Sequence, residues 1–233
     1  MPTIDMTDRF YADRYAQGGI GEWTLDRQAN PCHAIALHHA AGWYGQPLGP
    51  DANEDQERAQ IESMAQDHAA RDTIGIGPAY NYVAFPSGRL YAVGKVGTQR
   101  AHTKGRNPET GKRWNVEALA VCAMGNLEDE QPTAALKQAI GAAVDEIRGF
   151  SFSDGAMPVH GHGLIPTVTS SGVAYPQGTV CPGRHLLPFV AELNAGIDPR
   201  PPPTVEPTPI IPDVSVELAA IRAAADEIEA KIA

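Results

Sequence analysis

The chain has 233 residues, 42% of them hydrophobic and 20% charged, so it carries enough apolar material for one sizeable core and wholesale disorder is excluded. Its net charge of −10 argues against a general nucleic-acid binder, since phosphate affinity comes largely from Lys and Arg, and equally against adhesion to an anionic membrane surface. No apolar run approaches the roughly 18 residues of a membrane span, and three cysteines (Cys32, Cys122, Cys181) are too few for a disulfide scaffold.

The first ten residues lack the basic-then-apolar layout of a secretory signal, so the chain is expected to accumulate in a cytosol. Ala34–His38 is an apolar run of strand length. Residues Asn53 to Arg71 read as a helix capped by Asp51 or Asn53, with Ile61, Met64, Ala65 and His68 on one face. Two strands, 80–85 and 90–93, flank the turn Pro86–Arg89. A buried strand over 118–124 ends at Gly125 and Asn126. A helix over 132–148 has Pro132 in its first turn and Leu136, Ile140, Val144 and Ile147 on one stripe. A short strand over 157–160 and a helix over 182–194 complete this part. Interleaved strands and helices predict an α/β domain over 1–197, a mixed central sheet with helices on its faces.

Residues 198–212 contain seven prolines and predict an extended, semi-rigid linker. Beyond it, Val214, Leu218, Ile221, Ala225, Ile228 and Ile232 form one apolar stripe, which predicts an amphipathic helix over 213–233. Such a helix wants a partner, and both self-association and folding back on its own domain satisfy that need.

Three places could carry chemistry: His38 and His39 at the end of the first strand, His160 and His162 at the end of the last, and Cys181 in the loop that follows. Two imidazoles and a thiolate make the three-ligand pattern of a catalytic zinc, with a fourth position left for water, and their softness suits Zn²⁺ over Mg²⁺ or Ca²⁺. The residues alone leave open which member of each histidine pair would serve. Trp43 and Trp114 are candidates for stacking on a sugar or peptide.

Five segments in order resemble the type 2 N-acetylmuramoyl-L-alanine amidases, the family of phage endolysins and peptidoglycan recognition proteins. They are Ile35–Trp43, Tyr80–Tyr91, Asn115–Asn126, Val159–His162 and Thr179–Gly183. The resemblance implies a mixed sheet flanked by helices and zinc ligands at His38, His162 and Cys181, with His39 and His160 as the competing choices. It further implies a catalytic Tyr80, with Thr179 as a hydroxyl donor where many relatives carry Lys or Thr. His102, Asn126 and Trp43 fall along the substrate cleft. The central-strand position where some relatives carry a general-base Glu is Cys122 here, more consistent with a small core residue than a nucleophile. The implied activity is hydrolysis of the amide between N-acetylmuramic acid and L-alanine in bacterial peptidoglycan, one Zn²⁺ per chain, in an endolysin released from the host cytoplasm onto the cell wall. The rival readings are a non-catalytic peptidoglycan-binding module, since recognition proteins that bind without cutting characteristically lose the Cys ligand, and an oligomerising scaffold built on the tail helix.

Overall fold

A computed structural model describes residues 2–10, 25–71, 74, 77–153 and 157–195. The expected linker over 198–212 and the expected helix over 213–233 lie outside the described residues.

Among the described residues six strands form one sheet in the order β1-β4-β3-β5-β2-β6, where β1 is Ile4–Asp5, β2 Ala34–His39, β3 Tyr82–Ala84, β4 Leu90–Ala92, β5 Ala118–Ala123 and β6 Val159–Gly161. Only the hairpin β3–β4 is antiparallel; β2 runs parallel to both β5 and β6, and β1 parallel to β4. The mixed sheet is therefore as expected. Its two central strands, β2 and β5, are buried along their whole length, and their near-continuous apolar sequences are what a strand covered on both faces requires.

Helices cover the two faces. On one side α1 (Glu54–Ala70) sets Ile61, Met64 and Ala65 against Val83, Phe85, Tyr91, Cys122 and Met124. On the other α3 (Ala134–Arg148) and α4 (Leu187–Leu193) pack Leu136, Ile140, Val144, Ile147 and Phe189 against Ile35, Leu37, Leu119 and Val121. Alternation along β2 sends Ile35, Leu37 and His39 to the α3 face and leaves His38 on the α1 face.

Several boundaries differ from the sequence reading, each for a local reason. Asn53, rather than Asp51, caps α1: its side chain accepts from Gln56 N and the Gln56 side chain reaches back to Asn53 N, a reciprocal capping box. Thr133 caps α3 by accepting from Leu136 N, so Pro132 stands outside the helix rather than in its first turn. The last helix begins at Leu187, because residues before it are taken up by the turn that carries Cys181. The last strand is Val159–Gly161, and His162 opens a short 3₁₀ turn, His162–Leu164. A one-turn helix, α2 (Trp114–Glu117), and the two-residue edge strand β1 are additional elements.

The sheet is tied to α1 by one buried carboxylate. Glu57 is fully buried and accepts from Ser87 Oγ, Arg89 Nε at 2.6 Å and Tyr91 Oη at 2.8 Å, so every hairpin residue that touches it compensates its desolvation. Among the described residues no helix is long and apolar enough to cross a membrane.

Candidate metal centre and adjoining groove

His38 lies near the carboxyl end of β2 and His162 just past the carboxyl end of β6, the strand paired with it. Parallel neighbours finish at the same sheet edge, so topology alone brings two imidazoles 124 positions apart together, their ring centroids 4.4 Å from each other. Cys181 arrives from the loop that closes over the 3₁₀ turn, and its Sγ lies 3.7 Å from His38 Nδ1. One donor atom from each of His38, His162 and Cys181 falls within 4.8 Å of the other two.

That closure depends on two glycines. A Cβ on Gly163 would come 2.3 Å from the Thr179 carbonyl oxygen and 2.9 Å from that of Cys181, and one on Gly161 would come 2.7 Å from Pro182 Cδ. With no side chain there, Gly163 N donates to Cys181 O at 2.6 Å and fixes the cysteine loop to the histidine turn. Thr179 is exposed, and its Oγ1 accepts from Cys181 N at 3.2 Å, so its hydroxyl shapes the turn that presents the thiol.

The donors suit a soft divalent cation. Burial, followed by the neighbouring imidazoles, pushes the proton affinity of His38 well down; burial lowers His162 to about 4, opposed in part by the Gln177 side chain. Both rings are therefore neutral at pH 7 and free to donate lone pairs. The Nε2 atoms of His38 and His162 are buried without a hydrogen-bond partner, which a folded protein rarely tolerates unless something else satisfies them. Burial raises the Cys181 thiol to about 12, so a thiolate there calls for a cation beside it. The set of two neutral imidazoles and one thiol fits zinc.

The competing histidines face elsewhere. His39 Nδ1 accepts from Leu127 N at 3.1 Å, holding the 125–128 turn, while its own backbone N contacts Cys181 Sγ at 3.4 Å. His160 of β6 pairs with Ala36 of β2 and stands outside the donor group.

Tyr80 precedes β3, and its ring centroid lies 5.1 Å from that of His38. Burial, aided by Cys122, Tyr44 and Cys181 around it, keeps the phenol protonated far above its usual range. Behind it stands a pair, His68 and Tyr44, to which the sequence reading gave no role at the site. His68 of α1 accepts from Ala79 N at Nδ1, 3.1 Å, so its proton sits on Nε2 and is donated to Tyr44 Oη at 3.0 Å. The His68 ring meets Tyr80 edge-on at 5.5 Å. His68 is thus a buried brace for the peptide that carries Tyr80. The signal was its place on the apolar face of α1, where a histidine needs polar partners.

His102 is buried with its ring 5.4 Å from His38; its Nε2 donates to Ala118 O at 3.2 Å and its Nδ1 accepts from Thr103 Oγ1 at 2.8 Å. Burial holds it neutral, near 3. Asn126 and Trp43 are occupied locally: Asn126 Nδ2 donates to Asp129 and its Oδ1 accepts from Glu128 N, while Trp43 Nε1 donates to Glu130 and its ring rests on Gly125. Trp114 is a core residue, its Nε1 donating to Pro166 O at 2.8 Å.

A groove of about 680 Å³ opens beside the cluster, with His102 and His162 in its wall and Lys104, Arg106, Arg113 and Tyr175 around them. That volume lies in the range of small-molecule and cofactor sites.

Comparison with known proteins places the fold among known ones. The family model described as N-acetylmuramoyl-L-alanine amidase matches residues 28–184. A peptidoglycan-recognition protein of Drosophila simulans is 24% identical over 163 residues, 70% of this chain and 75% of that protein. Among solved structures, peptidoglycan recognition protein-LE in complex with tracheal cytotoxin, a monomeric diaminopimelic acid-type peptidoglycan, superposes with a TM-score of 0.58 at 17% identity, over 82% of this chain and 92% of that one. The N-acetylmuramoyl-L-alanine amidase LysC of Clostridium intestinale superposes with a TM-score of 0.50 at 16% identity, over 84% of this chain and 96% of that one.

Proposed function

Since the chain belongs to the N-acetylmuramoyl-L-alanine amidase family, we propose that it hydrolyses the amide between the lactyl group of N-acetylmuramic acid and L-alanine of the peptidoglycan stem peptide. The observation that carries this reading is the convergence of His38, His162 and Cys181 with two orphaned imidazole nitrogens. Zinc held by these three residues would supply Lewis acidity to water and to the scissile carbonyl. The recognition protein with tracheal cytotoxin supports peptidoglycan as the ligand of the same fold.

The chain's own residues supply the rest. Tyr80, kept protonated by burial, donates its phenolic hydrogen to the negative charge that develops on the carbonyl oxygen. Thr179 accepts from Cys181 N and keeps its hydroxyl hydrogen for the same oxygen. His38 and His162 stay neutral and His102 is locked in one tautomer, so none of them competes for the proton that must reach the leaving amine. Cys122 is buried and protonated where some relatives carry a Glu, so the proton released by the attacking water reaches the leaving amine through Tyr80 and that water, the phenol giving up its own hydrogen as it takes the water's.

The setting we propose is a bacteriophage endolysin that accumulates in the host cytoplasm and meets the wall after the membrane is breached. Its test is expression in a bacterial cytosol with and without a membrane-permeabilising agent, lysis being expected only with it.

The chemistry is tested by metal analysis of the purified protein and mass spectrometry of digested cell walls. One zinc per chain and free stem peptides beginning with L-Ala are expected; cut glycan strands would overturn the reading. A protein without zinc that binds walls and releases nothing would instead be a recognition module, the alternative that the Drosophila relative keeps open.

A further inference from the structure

His68 is buried, and its two ring nitrogens are committed to groups on two different segments of the chain. Nδ1 accepts from Ala79 N, in the residue before Tyr80, and Nε2 donates to the hydroxyl of Tyr44, which lies in the turn that leaves β2 just past His38. One imidazole on α1 therefore links the segment that carries the phenol to the segment that follows the metal-holding histidine. We propose that His68 and Tyr44 are positioning residues that set the Tyr80 phenol at its distance from His38. This inference rests on the amidase reading and adds to it the device that holds the hydrogen-bond donor in place.

Periodicity puts the ring there. Ile61, Met64, Ala65 and His68 share the buried face of α1, and the helix ends at Arg71, so His68 sits in its last turn, where the returning chain passes. That return path is tight. A Cβ on Gly77 would come 1.9 Å from Ala65 O, and one on Gly94 would come 2.6 Å from Tyr80 O. Arg100 donates to Pro78 O, and Asn81 N donates to Ala120 O at 3.1 Å. The main chain is thus held on both sides of Tyr80, which leaves the torsions of its own side chain to be set. Two rings bear on the phenol: His38, tilted by 50° at 5.1 Å, and His68, inclined at 71° and 5.5 Å. Tyr44 meets the far side of the pair, its ring 88° to that of His68 at 5.8 Å. The imidazole cannot turn without giving up the Ala79 or the Tyr44 hydrogen bond.

Donation to a developing charge depends steeply on geometry, and a misplacement of about 1 Å can cost about 10²-fold in rate. Removing the imidazole would leave the Ala79 N–H and the Tyr44 hydroxyl without their partner and open space beside the phenol. A residue that only fills the core lowers stability whether or not Tyr80 has its hydroxyl. A positioning residue lowers turnover only while that hydroxyl is present.

The test is a double-mutant cycle in the full-length, zinc-loaded protein. His68→Leu is expected to lower kcat by about tenfold to 10²-fold, with KM and zinc content unchanged. His68→Gln should recover most of that loss, because its amide can accept from Ala79 N and donate to Tyr44. In the Tyr80→Phe background His68→Leu should change kcat by less than about twofold. Equal losses in the two backgrounds, or a loss that falls on KM, would overturn the proposal while leaving the amidase reading intact. A second measurement needs no catalysis and decides the matter even where His68→Leu does not fold. In protein labelled with 3-fluorotyrosine, the Tyr80 fluorine resonance is the one missing from Tyr80→Phe. It should shift or broaden in Tyr44→Phe, which keeps every ring around the phenol and deletes one hydroxyl; an unmoved resonance overturns the proposal. A protein that cleaves no muropeptide yet shows this shift would refute the amidase reading and uphold the seat that His68 and Tyr44 give to Tyr80.

Discussion

The thiol of Cys181 and the phenol of Tyr80 are both buried and both held protonated, yet the proposed reaction asks opposite behaviour of the two side chains. Cys181, near 12 in the metal-free site, must lose its proton to serve as a ligand, and only a cation can offset that cost. Cys181→Ser should therefore leave the fold intact but lower zinc occupancy severely and abolish lysis, because a neutral hydroxyl is a poor zinc ligand; full activity with bound metal would remove Cys181 from the site. Tyr80 must keep its proton to donate it. Tyr80→Phe should retain zinc and cut kcat by about 10²-fold, the scale for loss of one oxyanion donor, and near-native turnover would demote it to packing. At this scale the sequence was most readable where alternation decides. His38 and His39 are adjacent, so a strand must send them to opposite faces, and His38 is the one whose donor atom falls beside those of His162 and Cys181. What the sequence did not show are the local partners of Thr179, Asn126 and Trp43, backbone and carboxylate groups that only the folded turns bring to them.

Two short elements govern the donor geometry: the 3₁₀ turn His162–Leu164 and the loop that carries Cys181. Their junction is Gly163, where an added methyl carbon would come 2.3 Å from the Thr179 carbonyl oxygen. Gly163→Ala should push the cysteine loop away, weakening metal binding by roughly tenfold or more in a chelator competition while the far-ultraviolet circular dichroism stays that of the wild type. Unchanged affinity would mean that the loop can shift without moving Cys181. Elements with a strong period, such as α1, α3 and the central strands, were plain in the sequence because burial on one or two faces writes itself into side-chain choice. The turn α2 and the edge strand β1 were not, being too short to show a period and held by tertiary contacts. The starts of α3 and α4 moved for a related reason: caps and turns, rather than apolar spacing, decide where a helix begins.

For the whole molecule the buried histidines set a pH limit. Burial lowers His68 to about 4 and His102 to about 3, whereas both take up protons near 6.5 in the unfolded chain. Between those values the unfolded state binds more protons, so stability is full above about pH 6.5 and is lost as pH falls towards 4 and below. The melting temperature of chelator-treated protein should accordingly fall from about pH 6.5 to about pH 4, and His68→Gln should flatten part of that slope. A flat profile would mean the rings are solvated in the folded state. The other expectation concerns the tail. Truncation after Gly196 should preserve zinc binding and hydrolysis of soluble muropeptides while changing the mass in solution or the efficiency on intact walls. Loss of soluble activity on truncation would make residues 197–233 part of the catalytic core.

The pairing of β2 with β6 has a consequence for the order of events during synthesis. His38 is made early, but Cys181, the partner 3.7 Å from it, follows 143 positions later, and β6 is the last strand to join the sheet, at its edge. A ribosome adding roughly 5–20 residues per second leaves the first donor waiting for seconds with no companions. The candidate metal centre is thus a clasp between the beginning and the end of one domain, and it shuts only when nearly all of that domain has emerged. An unfinished chain that carries β2, α1 and the hairpin holds one of the three donors, and the full donor set comes together only after β6 has paired with β2 and the Cys181 loop has closed on the histidine turn.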